Sequence, residues 1–82
     1  MTDATNDVVI GSVRKNAREV LVVGLQHFRG HDLVGLRVFA EDGAGKRVPT
    51  KAGLNVRVAL LDDLIALLVK ARDEARSRGM LP

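Results

Sequence analysis

The chain has no cysteine, no tryptophan and no tyrosine, and only two phenylalanines among its 82 residues. Without cysteine, neither a disulfide nor a thiolate metal site can reinforce so short a chain. Without the two bulkiest aromatics beyond phenylalanine, the core must be built almost wholly from aliphatic side chains. A domain of this size buries only roughly 60% of the surface its unfolded chain exposes, so a lone copy is marginal. Association is the remaining route to stability, and the composition predicts a homodimer. No apolar run approaches the ~20 residues of a membrane span. The start, Met1-Thr2-Asp3-Ala4-Thr5-Asn6-Asp7, is polar and acidic, unlike a signal peptide. The expected location is cytoplasmic.

Thirteen Lys and Arg against ten Asp and Glu give a net charge of +3. This mild excess favours polyanionic partners through steering and phosphate contacts. It is equally compatible with a basic surface that is simply solvated.

Residues 1–7 carry too little apolar content to offset chain entropy and read as a disordered leader. Val8 to Val13 is a short β-branched strand, which Arg14 to Arg18 interrupts. Glu19 to Gln26 reads as a buried strand in which Gly24 suits a bulge or a close backbone approach. Phe28-Arg29-Gly30-His31-Asp32 is a turn with Gly30 available for positive φ. From Leu33 the pattern alternates. Val34, Leu36, Val38 and Ala40 form a core face, while Gly35, Arg37 and Phe39 share the open one. Glu41 to Gly45 is a glycine-rich hairpin connection, and Lys46 to Lys51 a short strand with Pro49 at a sheet edge or bulge. Gly53 to Val56 reads as a separate extended piece, with Asn55 a candidate helix N-cap.

From about Val58 the period becomes helical. Leu61, Leu64, Ile65, Leu68 and Ala71/Ala75 make one face, widened by Leu60 and Leu67. So much apolar surface suits a helix packed against both its own sheet and a partner's helix. Asp62 and Asp63 near its start and Lys70, Arg72, Arg76 and Arg78 near its end match the helix dipole. Gly79 closes it, leaving 79–82 as a tail. The domain, residues 8–78, is therefore β-β-β-β-α, an α+β fold.

The two rings fall in or beside the basic, strand-rich region, in the phrases Phe28-Arg29-Gly30-His31, Leu36-Arg37-Val38-Phe39 and Pro49-Thr50-Lys51-Ala52-Gly53. Flat rings supply stacking faces and cations track the backbone, which is what a groove for unpaired nucleic acid requires. Each residue also has a plain structural reading. Phe28 serves equally as a plug for the end of a small core, and Phe39 as packing. Arg37 suits an ion pair with Asp32 or Glu41. Lys46, Arg47 and Lys51 suit a solvated hairpin, and Arg14, Lys15 and Arg18 read as an electrostatic collar or as solvated charge. His27 and His31 are separated by a turn and have no third ligand, so no metal site is expected. Gly43-Ala44-Gly45-Lys46 lacks the spacing and following helix of a phosphate loop. Nothing assembles a nucleophile, base and orienter. The expectation is a non-enzymatic protein without a cofactor.

In order and spacing, these phrases together with Lys15-Asn16-Ala17-Arg18-Glu19 resemble the single-stranded-DNA-binding domain of the positive cofactor 4 family of transcriptional coactivators, particularly its short bacterial members. The likeness runs from about Ile10 to Leu68. It implies a homodimer in which curved four-stranded antiparallel sheets face a shared channel and one long C-terminal helix per subunit forms the dimer contact, here through Leu61, Leu64, Ile65 and Leu68. By position, Phe28 resembles the family's stacking aromatic, Arg29 the cation beside it, Arg37 the strand cation of the channel wall, and Lys51 one of a basic pair. His31 replaces a lysine. Ala40 stands where eukaryotic members carry a second stacking aromatic, Ala52 replaces the second basic residue, and Val48 falls where a lysine often stands. The resemblance thus implies a nucleic-acid site at Phe28, Arg29, His31, Arg37 and Lys51, to which strand alternation adds Phe39 and charge adds Arg47, Lys15 and Arg18; nothing is carried over from the family before Val20. Each lost base stack costs on the order of 1–3 kcal/mol, so binding is expected to be weaker than with the full set. The implied function is a nucleoid-associated coactivator or regulator that binds single-stranded or melted DNA, with RNA a further ligand. The alternative is an adaptor of the same fold that contacts transcription or repair machinery.

Overall fold

The computed structural model describes residues 8–82, so the expected leader lies outside the described residues. Four strands follow one another as an antiparallel meander: β1 (Val8–Arg14), β2 (Glu19–Phe28), β3 (His31–Glu41) and β4 (Arg47–Arg57). A single 3-10 turn, Val58–Leu60, leads into the helix α1, Leu61–Ser77. The α+β reading and the β-β-β-β-α order hold.

The β2–β3 hairpin closes with only two residues, Arg29 at φ 52 and Gly30 at φ 80. Two successive left-handed residues give a turn whose twist matches that of the flanking strands. Sequence patterning placed positive φ at Gly30 alone; Arg29 shares it because a two-residue loop of this kind needs both. The turn starts an unbroken register from Phe28 opposite His31 to Glu19 opposite Ala40. That register puts Val20, Val22, Gly24, Gln26 and Phe28 on one face with His31, Leu33, Gly35, Arg37 and Phe39. The opposite face carries Leu21, Val23, Leu25, Val34, Leu36 and Val38. β1 joins β2 with a bulge between Val9 and Gly11. There the Val8 carbonyl crosses so close to Gly24 that a Cβ on that glycine would lie 2.9 Å away.

β4 corrects one expectation. Lys46–Lys51 and Gly53–Val56 are not separate pieces but one strand with an irregularity, where Thr50, Lys51 and Ala52 lie against Val38. The Pro and Gly punctuation suggested a break. The Thr50 hydroxyl carries the strand through: it donates to the Val38 carbonyl at 2.8 Å and accepts from the Ala52 N–H at 3.1 Å. Pro49 sits beside this bulge on an edge strand, as its missing N–H requires. Asn55, expected as an N-cap, instead lies inside β4, and neither the 3-10 turn nor α1 has a side-chain cap. Asp62 and Asp63 do occupy the first turn of α1. The helix ends in a Schellman arrangement, with Met80 N–H donating to the Ala75 carbonyl at 2.8 Å and Gly79 N–H to Arg76 at 3.1 Å.

The described core is small. Val20, Val34 and Val38 are the buried apolar residues. α1 has no buried residue; Leu61, Leu64 and Ala75 are half-buried, while Ile65 and Leu68 remain 49% and 59% exposed. Leu60 and Leu67 are more than half exposed as well. The expectation that α1 packs against its own sheet is not met along its length: apart from Ala75, only Leu61 and Leu64 in the first turns are partly covered. The stripe beyond them is open in the single chain.

Gly53, at φ +150, is the most constrained position of β4: a Cβ there would run into the Leu36 carbonyl and lie 2.9 Å from the Arg37 Cα. Gly53→Ala is expected to destabilise the fold by about 2 kcal/mol or more, read as a lowered urea midpoint.

Candidate nucleic-acid interface

One face of the sheet forms an open groove of about 240 Å³, lined by Val8, Val9, Val22, Gly24, Leu25, Gln26, Gly35, Arg37, Phe39 and Asn55. Arg37 and Phe39 reach it because side chains two apart on a strand share a face. Phe39 lies opposite the buried Val20 and is itself half-buried, so its ring both packs and lines the groove. The packing expected of Phe39 is met in part, and the rest of its ring stays on the groove.

Arg37 pairs with neither Asp32 nor Glu41. Its Nη1 donates to the Lys51 carbonyl at 3.2 Å, and its guanidinium carbon would stand 3.1 Å from a Cβ on Gly53. The bulge of β4 thus fixes the guanidinium against bare backbone while leaving its charge without a carboxylate partner among the described residues. A cation tied by a neutral carbonyl retains its charge for an outside anion.

Phe28 ends the same face and is 43% exposed, which argues against a core plug. The Arg29 guanidinium carbon lies 5.1 Å from its ring centroid, within cation–π range. His31 sits opposite Phe28 across the turn, exposed. His27 falls on the other face, its Nδ1 2.7 Å from Asp32 Oδ1, so the two histidines diverge. At the far end of the sheet Arg47 pairs in register with Glu41, without an ion pair between them among the described residues. Along β2 the two ends are roughly 30 Å apart at ~3.4 Å per residue. Cations therefore mark both ends and the middle of one face.

Lys15 and Arg18 belong to the β1–β2 turn and do not line the groove. Lys15 Nζ is engaged with Glu19 Oε1 at 3.1 Å, and Asn16 Nδ2 donates to the same oxygen at 2.6 Å. Asn16 first and Lys15 second hold the Glu19 carboxyl below its ordinary range. Lys51 is exposed on the bulge and contributes its carbonyl to Arg37. Ala40 lies opposite Glu19 and Val48, on the face away from Arg37. In this sheet the rings on Arg37's face are those of Phe28 and Phe39.

Three groove-face residues escaped the sequence reading: Gln26, Asn55 and Arg57, which the register places opposite Leu33, Gly35 and Leu33 respectively. Strand alternation in β2 would have placed Gln26 with Phe28. Asn55 and Arg57 depended on the length of the β4 bulge, which no local pattern prescribes.

A four-stranded antiparallel sheet followed by a C-terminal helix, with Arg37 and Phe39 lining a groove on one face of the sheet, defines a small α+β class of domain. The family model of Transcriptional Coactivator p15 (PC4) matches residues 15–67, and the chain belongs to that family. Two crystal forms of a PC4 homologue from Burkholderia pseudomallei are similar at 30% identity. The orthorhombic form has a TM-score of 0.73 and covers 82% of this chain and 90% of that one. The tetragonal form has a TM-score of 0.72 and covers 82% and 98%. A bacteriophage T5 homologue of the eukaryotic coactivator shares the fold at 21% identity, with a TM-score of 0.58 over 88% of this chain and 81% of that one. No curated protein sequence matches.

Arg29 adopts a left-handed backbone that costs an ordinary residue about 1–2 kcal/mol, against about 0.5–1 kcal/mol for an exposed cation–π contact. Asparagine tolerates that backbone. Arg29→Asn is therefore expected to raise stability by up to about 1 kcal/mol, measured by urea denaturation. A lowered midpoint would show that the ring contact dominates.

Proposed function

We propose that this protein is a non-enzymatic, single-stranded nucleic-acid-binding homodimer that acts on melted DNA as a coactivator or regulator of transcription, in the cytoplasm on the nucleoid. The observation that carries this reading is Arg37: a charge at the centre of a groove, held by a carbonyl and answered by no carboxylate among the described residues. Phe28 and Phe39 on the same face supply stacking surfaces, and His31, Arg29, Arg47 and Lys51 extend the track for phosphates. Family membership supports the same reading. The ligand is held first by charge and then by stacking, without a covalent step. Among the described residues no helix is long and apolar enough to cross a membrane.

The open stripe of α1 supports the dimer. Three buried side chains among the described residues are too few to hold a domain of this size, and Ile65, Leu68 and Leu67 expose apolar area that a second copy's helix would cover. The protein is expected to run at twice its 8.9 kDa chain mass. Leu68→Glu should shift it toward the monomer and lower its thermal midpoint, as sedimentation and circular dichroism would record. A wild-type monomer stable at micromolar concentration would remove the dimer.

Titration of a fluorescent thymidine oligomer and its matched duplex at two salt concentrations tests the ligand. The single strand should bind more tightly, with a salt slope near −0.7 per phosphate neutralised. Phe28→Ala is expected to weaken binding by about 1–3 kcal/mol at little cost in stability. Arg37→Ala should weaken it and flatten the slope by about one phosphate's share. Neither strand preference nor salt sensitivity would favour an adaptor that contacts transcription or repair machinery.

A further inference from the structure

Gln26 and Asn55 reach toward each other across the middle strand. Gln26 Nε2 donates to Asn55 Oδ1 at 2.8 Å, joining β2 to β4 over Gly35 of β3. Gly35 makes the room: a Cβ there would lie 3.1 Å from Asn55 Oδ1 and 3.5 Å from Gln26 Nε2. Both amides line the groove, between the Val8–Val9 lip on one side and Arg37 on the other. A glycine inside a strand often marks a close approach, and here what approaches is a polar pair rather than backbone.

Each amide carries one carbonyl acceptor and two N–H donors. Their mutual bond leaves the Gln26 Oε1 acceptor and the Asn55 Nδ2 donors without a protein partner among the described residues. Turning both amides over leaves the same inventory, one carbonyl and one amino group. Groove-lining amides of this kind are groups that hydrogen-bond base edges. Every unpaired base offers both a donor and an acceptor on its Watson–Crick edge, and in a duplex that edge is occupied by the complementary strand.

We infer that the Gln26–Asn55 pair reads the Watson–Crick edge of an unpaired base in the groove, so that it distinguishes single strands from duplex while tolerating any base. This inference rests on the single-strand reading above. It assigns to two neutral side chains a discrimination that phosphate contacts do not supply, since cations see a backbone in either state. Because the pair can accept and donate, it adapts to thymine, guanine, adenine or cytosine by amide rotation, which agrees with sequence tolerance.

The test compares a thymidine oligomer with an N3-methylthymidine oligomer of the same length. The methyl group removes the edge donor and leaves the phosphates in place and the ring face free to stack. The full-length wild type is expected to bind the methylated oligomer about three- to tenfold more weakly, the range of one or two hydrogen bonds. In the Gln26→Met, Asn55→Ala double variant the two oligomers should bind alike, with a salt slope equal to the wild type's because no cation is removed. Equal binding of both oligomers by the wild type overturns the inference and leaves the single-strand reading standing. So does a methylation penalty that persists in the double variant. Binding of neither oligomer takes down both. The wild-type comparison needs no variant and stands even if the double variant fails to fold.

Discussion

The pairing of β2 with β3 sets almost everything on the groove face. Ten residue pairs run without a break from the two-residue turn at Arg29 and Gly30. Side chains alternate at every step, so a slip of one residue would send Arg37 and Phe39 to the opposite face and bring Leu36 and Val38 into the groove. The turn prevents this, because a two-residue loop admits only one closing pair, Phe28 with His31. The left-handed Arg29 is part of that constraint: the residue that bears strain also places a cation over the Phe28 ring. Local strain and candidate ligand contact coincide in one residue, a pattern expected of functional positions.

The outer strands elaborate what this hairpin fixes. β1 bulges at Val9–Gly11 and brings the Val8 backbone over Gly24, which forms one lip of the groove. β4 bulges at Thr50–Ala52 and offers the Lys51 carbonyl to Arg37. Bulges at sheet edges re-aim side chains, and here each edge contributes one wall. The helix takes no part in the groove. Its apolar stripe is the other open surface of the chain, and it is the one on which the proposed homodimer would close.

Much of this was legible in the residues. Alternation from Leu33 to Ala40 identified the core face and the Arg37–Phe39 face, and Val34 and Val38 are indeed buried. Pro49 marked an edge strand, and Gly24 a close approach. The β4 strand was misread as two pieces because Lys51-Ala52-Gly53 carries the signals of a break; the hydrogen bonds of Thr50 override them. Asn55 was misread as a cap because asparagine before a helix usually is one, whereas here its partner lies 29 positions away in sequence. Gln26 was passed over because a lone glutamine in an apolar strand carries no local signal.

Period and punctuation are local properties, and the sequence alone determined what depends on them: four strands, one helix, the turn at Gly30, and which residues of β3 share a face. Tertiary structure decided which strands' faces align, how far each edge bulges, and therefore which polar groups meet across the groove. Those outcomes depend on hydrogen bonds between residues far apart in the chain, such as Gln26 with Asn55 and Arg37 with Lys51. No window of neighbouring residues contains both partners of such a bond, so their meeting becomes visible only when the strands are laid side by side.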